Sequence, residues 1–250
     1  MTVALYEFPL CEKVRNYLRL EQLFLQLHEA SEPESSFQAL QFFELLFDLI
    51  ELVERLDLRV DFIRDIDSQE KNLIHWSQHP EIDSGALDQT LLQLKNLLTQ
   101  IKLTKKLGAS IKEERFLSSI RQRFAIPGGA TSFDLPSLFC WIKQNSETKQ
   151  TDIQRWIKHL SLVNDSIKII MAFLRERGRF HQVVGKNGFY QGNVEDKVEL
   201  VRVKCSNDHA YYPVLSGNTY RYGIKFMQLR PTEGSTGAIA EDISFEIARC

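Results

Sequence analysis

Arg115, Arg121 and Arg123 stand close together in SIKEERFLSSIRQRFAIPGGATSFDLPSLFCW, residues 110–141, where Asp134 is the only acid after Glu114. A guanidinium is planar and grips a carboxylate through two parallel hydrogen bonds, so this chemistry is recognition of an anion. On a helix, Arg115 and Arg123 lie nearly above one another, while Arg121 sits about 240° from Arg115. Arg15 and Arg19 form a second cationic pair, at i, i+4. Like charges at that spacing weaken an isolated helix by a few tenths of a kcal/mol, roughly, which calls for an anionic partner or a nearby acid such as Glu12. A third set, Arg202, Lys204, Arg221 and Lys225, alternates with apolar residues; if both segments share one sheet, these four form a basic outer face. A merely solvated polar surface is the alternative in each case.

Bond-making chemistry finds less support. His75 and His79 have the spacing of two imidazoles on one metal, but Pro80 follows and no glutamate stands between them as in HExxH. His28, His159, His181 and His209 stand alone, so no metal is expected. There is neither a GxSxG elbow nor a GxxxxGK[ST] phosphate cradle, and Gly128-Gly129 reads as a structural turn. Ser206, Asp208 and His209 are neighbours in sequence, which says little about a triad assembled in space. The chain reads as a non-enzyme without a cofactor.

The elements that carry these cations follow from periodicity. Residues 2–8 alternate weakly and end at Pro9, as a short strand or extended arm. From Glu12 the period is helical, with Val14, Tyr17, Leu18, Leu20, Phe24, Leu25 and Leu27 on one broad side. After the polar break 31–36, helices are expected over 37–56, 58–76 and 87–104, the last with a stripe at Leu91, Leu94, Leu97, Leu98 and Ile101. That stripe suits either the monomer core or a dimer interface. Ser110 is expected to cap a helix carrying Ile111, Phe116, Ile120 and Phe124, which Pro127-Gly128-Gly129 stops. Pro136 opens the next helix, where its missing amide costs nothing. Helices over 152–160 and 163–176 follow. Beyond Arg179 the period becomes two, with strands at 180–184, 188–191, 199–205, 210–214, 220–229 and 242–248, and turns at Asn187-Gly188 and Gly217-Asn218.

This order predicts an α+β fold: a multi-helix domain followed by a small antiparallel sheet that covers one face on the helices, the N-terminal arm being able to join the sheet. The domains are expected at 1–9 (arm), 10–177 (helical) and 178–250 (β). At 43% hydrophobic and 26% charged residues, the chain has a globular composition. No apolar run approaches the ~20 residues of a membrane helix, and the N-terminus lacks a secretory pattern. Cys11, Cys140, Cys205 and Cys250 form no CxxC pair and read as free thiols of a reducing cytoplasm. The net charge of -2 divides unevenly: residues 1–100 hold 8 Lys/Arg against 18 Asp/Glu, and residues 101–250 hold 23 against 15. Such separation attracts an anionic partner, holds two halves together or orients a dimer.

The pattern RxRxxIPGGxxxFDLPxLxxW, from Arg121 through Ile126-Pro127-Gly128-Gly129 and Phe133-Asp134-Leu135-Pro136 to Trp141, resembles the ZapD family of bacterial cell-division proteins. Glu7-Phe8-Pro9-Leu10, Glu12-Lys13, Leu18-Arg19-Leu20-Glu21, Asn187-Gly188-Phe189-Tyr190-Gln191 and Arg221-Tyr222-Gly223-Ile224-Lys225-Phe226-Met227 extend the resemblance along the chain. It implies a cytoplasmic homodimer at the mid-cell Z-ring. Such a protein binds the C-terminal tail of FtsZ, the tubulin-like division protein, and links filaments into bundles without contacting membrane or nucleic acid. Two weak tail sites on one dimer suffice, because the second attachment is effectively intramolecular.

With that partner, the expected site is an electropositive groove between the domains: Arg19, Arg115, Arg121, Arg123, Arg221 and Lys225 facing an acidic, partly apolar peptide. Phe133, Phe139 and Trp141 can accept its apolar side chains, although a core role is their default. Members of the family carry histidine at the place of Phe139, so any contact there is by packing in this chain. Arg249 stands where a second terminal cysteine is expected, which weakens a role for paired terminal cysteines. The alternative function is a binding module for another anionic ligand or nucleic acid, using the basic C-terminal half.

Overall fold

The computed structural model describes residues 3–76, 84–193, 198–206, 210–218, 220–230 and 237–250. The chain is α+β. Strand β1 (Val3–Pro9) precedes helices α1 (Glu12–Glu29), α2 (Ser36–Arg55), α3 (Leu58–Trp76) and α4 (Ser84–Leu103). A 3-10 turn (Ala109–Glu113) leads into α5 (Arg115–Phe124), α6 (Pro136–Ile142), α7 (Ser146–Lys158) and α8 (Ser161–Glu176). Strands β2 (His181–Gly185), β3 (Phe189–Asn193), β4 (Leu200–Ser206), β5 (Tyr211–Gly217), β6 (Arg221–Gln228) and β7 (Ile243–Arg249) complete the chain. Two compact units result: Met1–Leu18 with Met171–Cys250, and Arg19–Ile170.

In the helical unit, the polar break before α2 is a capping box. The Ser35 hydroxyl accepts from the Gln38 amide at 3.2 Å, and the Gln38 side chain accepts from the Ser35 amide at 3.0 Å. Two otherwise orphaned donors are thereby satisfied. Beyond it, Phe42, Phe43, Leu46, Phe47, Leu49, Ile50 and Val53 are buried at helical spacing. Phe42 and Phe43 join Phe116, Trp141 and Trp156 in an aromatic centre, where Phe116 lies parallel to Trp156 at 5.5 Å. Of the expected α4 stripe, Leu94, Leu98 and Ile101 are buried and Leu91 and Leu97 half-buried. Arg59 of α3 donates to the carbonyls of Ile101, Lys102 and Thr104 at 3.2, 2.9 and 2.9 Å, satisfying acceptors that a helix end leaves open.

The expected cap at Ser110 does not form. Residue 110 lies inside the 3-10 turn, Glu114 occupies the N-cap of α5 without a side-chain cap bond, and the Ser110 hydroxyl instead meets His159 Nδ1 at 2.9 Å. The other ring nitrogen of His159 meets Glu114 Oε1 at 3.1 Å, and Arg155 Nε lies 3.3 Å from the same oxygen. A partner 49 residues away therefore outcompetes the local amide for this hydroxyl.

The other unit holds two antiparallel sheets rather than one, with strand orders β1-β4-β7-β2 and β3-β6-β5. The first strand joins the sheet along its whole length, from Val3 opposite Ser206 to Pro9 opposite Leu200. Val201, Val203 and Cys205 of β4, Tyr222, Ile224 and Phe226 of β6, and Ile243, Phe245 and Ile247 of β7 form one core with Leu10. Phe226 and Phe245 meet across the sheets at 5.0 Å. The correction has a plain cause: period-two alternation on β4, β6 and β7 supplies enough apolar surface for two inner faces, which bury each other.

Tyr222 is 1% exposed in this core. Burial, followed by the neighbouring Tyr190 phenol, pushes its own phenol up to about 12. Because the folded value lies above the ordinary one of 10.0, its contribution is complete below that pH and is lost as pH climbs toward 12. The difference corresponds to about 2–3 kcal/mol. Burial also raises the Cys205 and Cys250 thiols, with the same sign. We expect alkaline unfolding of the sheet unit in this window, shifted to higher pH in Tyr222→Phe; a circular-dichroism titration of both proteins checks it.

Candidate functional site

Helix α5 begins with Arg115 and ends one turn before the Pro-Gly-Gly bend, so its three arginines are placed by one short element. The bend closes with Ile126 N to Arg123 O at 3.0 Å and Gly129 N to Ile126 O at 2.7 Å. Gly128 has φ +74, and a Cβ on Gly129 would collide with the Arg123 carbonyl oxygen, so each glycine is required for a different reason.

The three arginines have different employment. Arg121 donates to both oxygens of Glu54 on α2, at 3.0 and 3.3 Å, and Lys112 Nζ lies 3.3 Å from the same carboxylate. Burial pushes the Glu54 carboxyl up, but hydrogen bonds and charge from Arg121 and Lys112 together hold it below the usual carboxylate range. Arg123 reaches across the bend to the Asp134 carbonyl at 3.3 Å, with the Asp134 carboxylate at 3.8 Å. Thr131 Oγ1 donates to that carboxylate at 2.9 Å. Arg115 is exposed, and its side chain has no ion pair or hydrogen bond among the described residues. Arg121 and Arg123 thus fasten α5, while Arg115 keeps its charge outward.

Arg19 is likewise exposed on α1 without a partner among the described residues, whereas Arg15 is paired with Glu12 at 2.6 Å. Of the apolar candidates, Phe133 is 79% exposed and Phe139 49%, the latter with Lys143 Nζ 5.5 Å from its ring centroid. Trp141 is 4% exposed, packs on Phe43 at 5.1 Å and donates its indole N–H to Asp152 at 2.9 Å. Its ring fastens α6 into the aromatic centre.

The four cations of the expected basic sheet face are not on one sheet. Arg202 and Lys204 lie on β4, in the four-stranded sheet, and both are engaged. Arg202 Nε is 2.8 Å from Glu7 Oε1, and Lys204 Nζ sits 3.8 Å from the Phe180 ring centroid. Period-two alternation fixes which face a strand offers but not which sheet it joins. Arg221 and Lys225 lie on β6 of the three-stranded sheet, exposed and without side-chain partners among the described residues.

Around those two, β3 turns out Phe189, Gln191 and Asn193, and β5 turns out Tyr212, Val214 and Ser216. The registers set Lys225 between Phe189 and Val214, and Gly223 between Gln191 and Ser216. No carboxylate stands among these outward positions. Phe189 and Val214 are 47% and 44% exposed, so the face is both cationic and apolar. Sequence reading found its cations but missed its apolar members; the exposed alternation of Tyr212 and Val214 with Pro213 was the available signal. Among the described residues, no cluster of three or more His, Cys, Asp or Glu can hold a metal ion, and no helix is long and apolar enough to cross a membrane.

Fold and surface define an α+β protein of a helical unit and a two-sheet unit, with exposed arginines that have no side-chain partner among the described residues. The chain belongs to the ZapD family of cell division proteins: the family model for ZapD, described as "Cell division protein", matches residues 18–225. Curated relatives named "Cell division protein ZapD" agree along the full length. That of Idiomarina loihiensis is 38% identical over 246 residues, 98% of this chain and 96% of its own. That of Vibrio parahaemolyticus is 35% identical over 250 residues, covering all of both chains, and that of Serratia proteamaculans 34% over 247, 99% and 97%. The chain therefore has a role in cell division.

Proposed function

We propose that this chain is a filament cross-linker of the division ring, binding the acidic, partly apolar C-terminal tail of FtsZ. As a cytoplasmic homodimer with two tail sites, it joins neighbouring filaments into bundles at the mid-cell Z-ring. The observation that carries this reading is the unspent charge of Arg19, Arg115, Arg221 and Lys225, exposed in a family of cell division proteins. Arg121 and Arg123 add positive charge on the helix that carries Arg115 while holding α5 through Glu54 and Asp134. Arginine suits the task because a carboxylate receives two directed bonds as well as charge. Phe133 and Phe139 offer the apolar complement, and Trp141 anchors the helix that carries Phe139.

The test is co-sedimentation with GTP-polymerised FtsZ, full-length and tail-deleted. Bundles should pellet only when the tail is present. Arg115→Glu and Arg221→Glu should each weaken binding of a labelled tail peptide about tenfold, as charge reversals against an anionic partner do, with circular dichroism and oligomeric state unchanged. Undiminished binding in both variants removes these cations from the site. Pelleting that ignores the tail removes the tail as the ligand.

A further inference from the structure

We propose that the outer face of the β3-β6-β5 sheet is a socket for one apolar side chain of an extended acidic peptide, floored by Gly223, walled by Phe189 and flanked by Arg221 and Lys225. The inference rests on the reading that the ligand is an acidic tail, and adds the sequence pattern this face selects.

The socket exists because the central strand lacks a side chain at its middle outward position. Gly223 stands between Gln191 and Ser216 in the register, and the resulting depression measures about 290 Å³, with Arg221 on its rim. This lies near the lower end of small-ligand pockets, the scale of one side chain rather than of a cofactor. The Phe189 ring packs on Gly223: a Cβ there would lie 3.1 Å from Phe189 Cε2 and 3.9 Å from Ser216 Oγ, so the ring takes the space directly above the glycine and the depression opens beside it, toward Gln191, Ser216 and Arg221. The wall is therefore aromatic, the floor backbone, and the far rim polar.

Spacing decides the occupant. Arg221, Gly223 and Lys225 follow one another on one face of β6, so cation, gap and cation repeat every ~6.8 Å. An extended peptide presents its alternate side chains with the same repeat. Acid-x-apolar-x-acid laid along β6 puts its central side chain into the gap and its carboxylates on the two cations. Among the described residues, the outward positions of this face carry no carboxylate to repel such a peptide. A nucleic acid strand needs cations along its whole phosphate track, whereas this face supplies two separated by a gap.

Backbone-amide NMR titration of the intact protein provides the test, with three probes: Glu-Ser-Leu-Ser-Glu, Glu-Ser-Ser-Ser-Glu and a thymidine oligonucleotide. The leucine peptide should shift the amides of Gly223, Phe189 and Ser216 and bind about tenfold tighter than the serine peptide. Equal binding by both peptides, or shifts elsewhere alone, overturns the socket. Equal or tighter binding of the oligonucleotide at these amides overturns the peptide assignment. Gly223→Leu, checked for an unchanged melting temperature, should weaken FtsZ-tail binding about tenfold with Arg221 intact. If wild type binds the tail and Gly223→Leu binds it equally, the socket falls and the tail reading stands. If wild type does not bind the tail, that reading falls, and the two short peptides still judge the socket.

Discussion

Glu7→Gln should destabilise the sheet unit by about 3 kcal/mol, because it strips two arginines of their shared anion. Arg175 Nε and Nη2 donate to the two Glu7 oxygens at 2.9 and 2.7 Å, while Arg202, directly opposite on β4, approaches one of them at 2.8 Å. The side chains retain only 16% exposure at Glu7 and 15% at Arg202, so water replaces the lost carboxylate poorly. A neutral amide leaves both guanidiniums half-buried and facing each other. Urea unfolding followed by circular dichroism measures the loss. The decisive control is the triple variant Glu7→Leu, Arg175→Met, Arg202→Met. It should recover most of the stability, since removing a whole buried ionic cluster is often neutral, whereas removing one member is not. If Glu7→Gln costs less than about 1 kcal/mol, solvent screens this cluster as it does a surface pair.

Trp156→Ala should cost the helical unit about 3–5 kcal/mol, the range for deleting a large buried aromatic side chain. Trp156 is 0% exposed and sits 5.4–5.5 Å from Phe43, Phe116 and Trp141. Removing it leaves a void bordered by three helices besides its own, which cannot all collapse into it. Trp156→Phe should cost much less, partly because the indole N–H is buried without a hydrogen-bond partner among the described residues. The consequence reaches the surface. The ring of Phe116, the residue next to Arg115, stacks on Trp156 with an interplanar angle of 2°. If the aromatic centre positions Arg115, Trp156→Ala should also weaken tail binding below its melting transition, and Trp156→Phe should not. Equal tail affinity in all three folded proteins would show that Arg115 needs no such support.

The candidate surface was readable in the sequence only in part. Cations are visible as letters, and helical spacing showed that the three arginines of α5 cannot share one narrow face. Nothing local reveals that Arg121 is held by Glu54, 67 residues away. Arg123 pairs with Asp134, near enough in sequence to suspect, yet only the bend at Gly128-Gly129 brings them together. Likewise, Arg202 and Arg221 look alike in their alternating strands, but one is spent on Glu7 and the other stands open. His75 is described, while its spaced partner His79, the Asp208-His209 pair and the side chain of Trp76 lie outside the described residues.

By itself, the sequence determined the α+β class, the helices and strands to within a few residues except around 110 and 146, and most of the buried side wherever an apolar stripe was read, Leu25 of α1 being exposed instead. These are local properties: spacing 3.6 or 2 decides which side chains share a face, and Pro, Gly and Ser punctuate the chain wherever they stand. Tertiary structure alone decided that the strands form two sheets, that Ser110 turns to His159 rather than capping a helix, and which cations keep their charge for a ligand. Those outcomes depend on pairing between distant segments, where a carboxylate or an apolar face competes with every other partner in the folded chain. Composition counts the charges; the fold decides which of them are already neutralised.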